Sequence, residues 1–140
     1  MPSPLDPQII AGLPHIFLDR SLGAVQVPAL LRQAGLAVTT LREHYGQPQD
    51  QRISDEEWIE LTAKRGWIAF HKDAAIRRNL VERQTVIDHS ARMFCVPRAD
   101  IAAADLAARF IDNIAAIAVA AQGVGPFVYS VQAHRIVKLL

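Results

Sequence analysis

Short apolar runs alternate with amphipathic stretches along the first two thirds of this chain, and glycine or polar residues punctuate them. His15 to Asp19 reads as a first strand, followed by a loop at Arg20 to Gly23. A helix is predicted over Ala24 to Ala34, where Val27, Leu30, Leu31 and Ala34 recur at i, i+3, i+4 and i+7. Pro28 is tolerable near its first turn, and Gly35 suits the position just past its end. Leu36 to Leu41, rich in β-branched residues, reads as a second strand, and 42–53 as a polar loop. Ser54 is placed to cap a helix reaching Lys64 or Arg65, with Glu57 at the capping-box position and Gly66 as its stop. Trp67 to Lys72 gives a third strand, a helix follows from about Ala74 or Leu80 to Ala91, and Arg92 to Val96 gives a fourth strand. Strands that alternate with helices in this way imply a mostly parallel sheet with right-handed crossovers.

The final third differs in texture. Ala99 to Gln122 reads as one long alanine-rich helix with Leu106, Phe110, Ile114 and Ile117 on one face. Its later turns, through Ala115, Ala116, Ala118, Val119 and Ala120, are apolar nearly all round, which predicts burial on every side. The cover is expected from Phe127 to Leu139 folding back or, by preference, from a second subunit in a homodimer, since small residues let helices approach closely. Phe127 to Val131 and Arg135 to Leu139 read as short strands. Residues 1–14 are proline-rich and expected to be extended, so 15–140 is read as a single domain.

Composition narrows the function only a little. A formal net charge of +1 over 140 residues does not announce a nucleic-acid binder, so any RNA contact must come from a local basic patch. The single cysteine, Cys95, lies in an apolar run; it excludes an intramolecular disulfide and any cysteine-rich zinc site. The five histidines show no HxxxH or HExxH spacing, and dinucleotide, P-loop and serine-hydrolase motifs are absent. No signal peptide is evident. Asp105, Arg109 and Asp112 interrupt the alanine-rich stretch, so no membrane span is expected and a cytoplasmic setting is.

Three aspartates stand where strands end or helices begin. Asp19 closes the first strand, Asp55 opens the helix after Ser54, and Asp73 follows the third strand. In an open α/β sheet the carboxyl ends of the strands line one crevice where ligands bind. Carboxylates gathered there repel one another, and a hard divalent cation such as Mg²⁺ is the usual reason to keep them. Each has a plainer reading: Asp19 as a turn residue, Asp55 as one of three first-turn acids beside Glu56 and Glu57, and Asp73 as a helix cap.

The blocks Phe17-Leu18-Asp19-Arg20-Ser21-Leu22-Gly23, Asp55-Glu56-Glu57-Trp58 and His71-Lys72-Asp73-Ala74-Ala75-Ile76-Arg77-Arg78-Asn79 together resemble the PIN-like ribonuclease toxins of bacterial toxin–antitoxin systems, most closely their VapC45-type branch. The likeness covers roughly residues 14–97. It implies a small three-layer α/β/α sandwich that cuts RNA with Mg²⁺ or Mn²⁺ and is restrained by a cognate antitoxin. Asp19, Asp55 and Asp73 would then be the catalytic, metal-holding residues. The sequence offers no clear glutamate for that family's usual extra acidic position. Arg20, Ser21, Arg77 and Arg78 are the candidate contacts to RNA phosphate, with Lys72 and Arg83 nearby. Blander roles are solvated charge, turn chemistry at Ser21, and an Arg78–Glu82 pair along one helix. Two other functions stay open: a PIN-like binding module without catalysis, and a small-molecule phosphohydrolase.

Overall fold

The computed structural model describes residues 5–72 and 79–140. Within them β1 (Ile16–Leu18), β2 (Val38–Thr40), β3 (Ile68–Lys72), β4 (Arg92–Val96), β5 (Phe127–Val131) and β6 (Ile136–Lys138) form one sheet in the order β2-β1-β3-β4-β5-β6. The first five strands run parallel to their neighbours, and β6 turns back antiparallel on β5. Successive residues of a strand face opposite sides, and here both sides are apolar, as expected of a parallel sheet covered twice. Ile16, Leu18, Ile68, Phe70, Phe94 and Val96 enter one core. It is closed by α1 (Pro7–Ala11), α2 (Gln26–Gln33), α6 (Ala103–Asp112) and α7 (Ile114–Ala121). Phe17, Ala69, Met93, Cys95 and Val128 enter the other. That core is closed by α3 (Leu41–Tyr45), α4 (Asp55–Lys64) and α5 (Leu80–His89). The result is the expected α/β/α sandwich, with helices on both faces of a mostly parallel sheet.

The ends of the chain depart from expectation. The segment expected to be extended contains α1, capped by Asp6, whose Oδ1 accepts the Gln8 N–H at 2.9 Å. This helix packs on α7, so the chain's own N-terminus supplies part of the cover sought for that region. The long helix of 99–122 is two helices broken at Asn113. The buried Asn113 amide donates to the Arg109 and Gln132 carbonyls, both at 2.8 Å. A side chain that bonds the carbonyl four residues back competes with the helix ladder, and here it also ties the break to the end of β5. Nor is α7 buried all round: Ala115, Ala116 and Val119 face outward. No helix among the described residues is long and apolar enough to cross a membrane.

The stretch 42–53 is not a plain loop. α3 occupies Leu41–Tyr45, and a 3₁₀ turn covers Gln49–Arg52. Thr40 caps α3 in a complete capping box with Glu43. The T-x-x-E signature was in the sequence, but the β-branched run before it reads as a continuing strand. Ser54 does cap α4, accepting the Glu57 N–H at 3.2 Å.

Candidate functional site

β1 pairs with β2 on one side and with β3 on the other, so the chain changes its direction of winding there. The crevice outside the carboxyl ends of β1 and β3 is therefore a topological switch point, the usual ligand site of open α/β sheets. Asp19 is the residue that follows β1. Its N–H donates to the Phe70 carbonyl at 3.1 Å, prolonging the ladder by one step. Its side chain caps the 3₁₀ turn Arg20–Leu22, with Oδ2 accepting from the Ser21 hydroxyl at 2.8 Å. The same hydroxyl accepts the Lys72 N–H at 3.0 Å. Ser21 thus laces the ends of β1 and β3 together and aims Asp19. Its one hydroxyl proton goes to Asp19, which makes it a positioning residue for that carboxylate.

Asp19 Oδ1 is buried and finds no hydrogen-bond partner among the described residues. Burial pushes the Asp19 carboxyl above its ordinary range; the Ser21 hydroxyl opposes this and the charge of Asp55 adds to it. Such an oxygen costs about 1–3 kcal/mol when left unmatched.

Asp55 opens α4 from the opposite wall. Its Oδ1 accepts the Trp58 indole N–H at 2.8 Å. Trp58 is itself locked in the core, stacked on Phe17 with centroids 5.7 Å apart. The helix that follows the undescribed segment, α5, is capped by Asn79, whose Oδ1 accepts the Val81 and Glu82 N–H groups, each at 3.1 Å. This places Glu82 in the first turn of α5, hydrogen-bonded to Asp55 in the first turn of α4. The positive ends of two helix dipoles therefore meet at the acid pair.

Glu82, which the sequence reading gave only as a partner for Arg78, lies beside Asp55. Burial pushes its carboxyl up to about 8, helped by the hydrogen bond to Asp55 and by the charges of Asp55, Glu56 and Asp19. Burial pushes Asp55 the same way, but the bonds from Glu82 and Trp58 and the charges of Arg20 and His71 outweigh it and leave Asp55 below its ordinary value. The shift is upward for Glu82 and downward for Asp55, as for two acids that share one proton. The only sequence signal for Glu82 was an acid in a helical first turn, which many surface helices carry.

Asp73, Arg77 and Arg78 lie outside the described residues, and with them the expected Arg78–Glu82 pair. Arg20 Nη2 donates to the carbonyls of Asp50 at 2.6 Å and Ile53 at 2.9 Å, holding the turn that leads into α4. A phosphate contact would have to use its remaining N–H groups. Cys95 is buried, as expected of an inert core thiol. Among the described residues no three acids, histidines or cysteines are gathered closely enough to hold a metal ion. What is assembled is a proton-sharing pair, Asp55 and Glu82, with Asp19 close enough to raise Glu82 and be raised by Asp55. Carboxylate oxygens are the donor type that a hard divalent cation takes.

Residues 14–98, which carry β1 to β4 and all of these acids, match the family model described as "PIN like domain". The chain belongs to the PIN-like domain family. A curated relative from Mycobacterium tuberculosis (strain ATCC 25618 / H37Rv), named "Putative ribonuclease VapC45", is 62% identical over 135 residues. That alignment covers 96% of this chain and 98% of the relative, so it runs through α6, α7 and the β5–β6 hairpin as well. No solved structure matches the chain.

Proposed function

We propose that this PIN-like domain is a metal-dependent endoribonuclease, the toxin of a toxin–antitoxin pair, restrained by a cognate antitoxin in the cytoplasm. The observation that carries this reading is the set of acids at the switch point: Asp19 with a buried, unmatched oxygen, facing the Asp55–Glu82 pair. Support also comes from the 62% identity to a relative named as a ribonuclease. Asp19, Asp55 and Asp73 would hold Mg²⁺ or Mn²⁺, with Glu82 beside Asp55 as a neighbouring acid. A bound ion of this kind supplies a water of lowered pKa and neutralises charge on the phosphate. The protein's own part is positioning. Ser21 fixes Asp19, Trp58 fixes Asp55, and the Asn79 cap presents Glu82. The proton held by Glu82 must leave as the acids take up positive charge. Lys72 at the end of β3, with Arg77, Arg78 and the free face of Arg20, would hold the RNA backbone, a role that places the strand without reading its sequence. A homodimer, if formed, would use the outward stripe Ala115, Ala116 and Val119 that α1 leaves uncovered.

Calorimetric titration with Mn²⁺, paired with cleavage of a mixed-sequence single-stranded RNA, tests the site. The wild type is expected to bind Mn²⁺ and cut. Asp19→Asn should lose the binding heat and slow cleavage by about a hundredfold or more, since metal catalysis is worth several kcal/mol. Unchanged Mn²⁺ heat or unchanged cleavage in that variant would overturn the assignment.

A further inference from the structure

Arg20 connects the two acids whose separation the crevice depends on. It follows Asp19 directly, and its backbone N–H, like that of Ser21, hydrogen-bonds the Asp19 carboxylate and favours its charged form. Its side chain reaches the other wall. Nη2 donates to the Asp50 carbonyl at 2.6 Å and to the Ile53 carbonyl at 2.9 Å, 30 and 33 residues further along the chain. Ser54, the N-cap of α4, comes next after Ile53, and Asp55 is the first residue of that helix. One guanidinium nitrogen thus holds the carbonyl two residues before Asp55, while the backbone of the same residue holds Asp19. Its charge also lies near enough to Asp55 to draw that carboxyl down.

Both ends of this strut are pinned. Asp50 is buried; its N–H donates to the Gly46 carbonyl at 2.8 Å and its Oδ2 accepts Arg42 Nε at 3.2 Å, so the turn that receives Arg20 is itself fixed. At the other end the Leu22 N–H donates to the Asp19 carbonyl and the Gly23 N–H to the Arg20 carbonyl, each at 3.0 Å. Trp58 orients the Asp55 side chain from within α4, but it does not fix where α4 starts relative to β1. That start is under load, because the charge of Asp55 raises Asp19 and the two carboxylates repel. A hydrogen bond from a charged donor is roughly twice as strong as a neutral one, and Arg20 makes two of them against that repulsion.

We infer that Arg20 is a positioning residue that sets the separation of Asp19 from Asp55. Its catalytic consequence rests on the ribonuclease reading: a cation shared by the two acids tolerates little error in that separation, since Mg²⁺ demands near-ideal octahedral geometry. The role is distinct from any phosphate contact by the remaining N–H groups of Arg20, because it is exerted with no RNA present.

Asp55 carries its own reporter, because its Oδ1 accepts the Trp58 indole N–H at 2.8 Å. The chain has two tryptophans. The other, Trp67, precedes β3 at the end of the sheet away from the crevice, so the two indole cross-peaks of a ¹H–¹⁵N spectrum give a probe and a control. In EDTA, Arg20→Gln should move the Trp58 peak and leave the Trp67 peak in place. By calorimetry the same variant should bind Mn²⁺ about 10- to 100-fold more weakly, the usual cost of removing a group that orients metal ligands. Arg20→Lys keeps the charge, but its nitrogen ends one bond short of Nη2, so it should move the Trp58 peak in the same direction. This variant carries the test if Arg20→Gln does not fold. An unmoved Trp58 peak in the folded variant would overturn the inference. So would a peak that moves in Arg20→Gln but stays at its wild-type position in Arg20→Lys, since the effect would then be one of charge alone. Weaker RNA binding with the Trp58 peak and Mn²⁺ affinity unchanged would leave Arg20 a phosphate contact only, and would overturn it too. The two readings fail separately. A wild type that neither binds Mn²⁺ nor cuts RNA removes the ribonuclease, while the indole peaks decide the role of Arg20 without metal or RNA.

Discussion

The two helical layers cover opposite faces of one sheet, and they are loaded very differently. On the side of α1, α2, α6 and α7 the contacts are apolar and close: Phe110 lies flat on Phe70 with ring centroids 4.2 Å apart, and Leu106, Ile114 and Ile117 are fully enclosed. On the side of α3, α4 and α5 the same sheet carries the acids. By strand alternation Asp19 falls on the face of Phe17, and Asp55 and Glu82 come from the two helices that cover that face. α5 buries only Val86 completely and leaves Leu80 and Val81 exposed at 79% and 61%. Both layers bury an apolar core, and the second also keeps like charges near one another. Such sites are often less stable than their surroundings because binding and chemistry need groups that folding alone would not assemble.

The sharpest way to break this contrast is to cut each layer in turn. Phe110→Ala should cost about 3–5 kcal/mol by urea denaturation, the usual range for deleting a buried aromatic ring. Leu80→Ala on α5 should change stability by less than about 0.5 kcal/mol, as for exposed positions generally. Equal losses would mean that α5 is as firmly seated as α6. Ser21→Ala should come next, at about 1.5–3 kcal/mol for a hydrogen bond to a charged group. It removes the donor to Asp19 and the acceptor for the Lys72 N–H together, so denaturation at neutral pH without divalent ions reads both.

The smallest effect is the most diagnostic. Glu82 is raised from 4.5 to about 8 in the folded chain, so the folded state binds a proton that the unfolded state has released. Its contribution is fully present below about pH 4.5 and is lost as pH climbs towards 8. Glu82→Gln should remove that slope and stabilise the metal-free protein at pH 8 by about 1 kcal/mol, after allowing for screening at a partly exposed group. Melting temperatures from pH 5 to 9 in EDTA measure it, and an unaltered slope in the variant would mean that the proton is not on Glu82. In the wild type, Mn²⁺ binding should tighten as pH rises, with proton release seen as a buffer-dependent heat.

Much of the frame was legible along the chain. β4 and β5 begin and end where the apolar runs Arg92 to Val96 and Phe127 to Val131 do, because a strand buried on both faces writes itself as a continuous run. Asp19 was legible for the same reason, as the first polar residue after β1. The misreadings share a cause. The break at Asn113 depends on the carbonyl of Gln132, which belongs to a different element. The apolar later turns of α7 suggested burial on all sides, yet alanine gains little from burial, and Ala115 and Ala116 stay in solvent.

The sequence by itself determined the strands, the helices α2, α4 and α5, the cap at Ser54, and one acid at a strand end. Periodicity and capping are decided among near neighbours by backbone sterics and by which side of an element must leave water. Only the tertiary structure decided that Glu82 would meet Asp55, and that Asp50 would be buried with one oxygen unmatched beside Asp19. Nothing local distinguishes these two acids from solvated ones. Their surroundings arise when α4 packs on α5 and the Gln49–Arg52 turn folds against Arg20 and Arg42, because desolvation and the approach of a like charge depend on the neighbours that folding brings close.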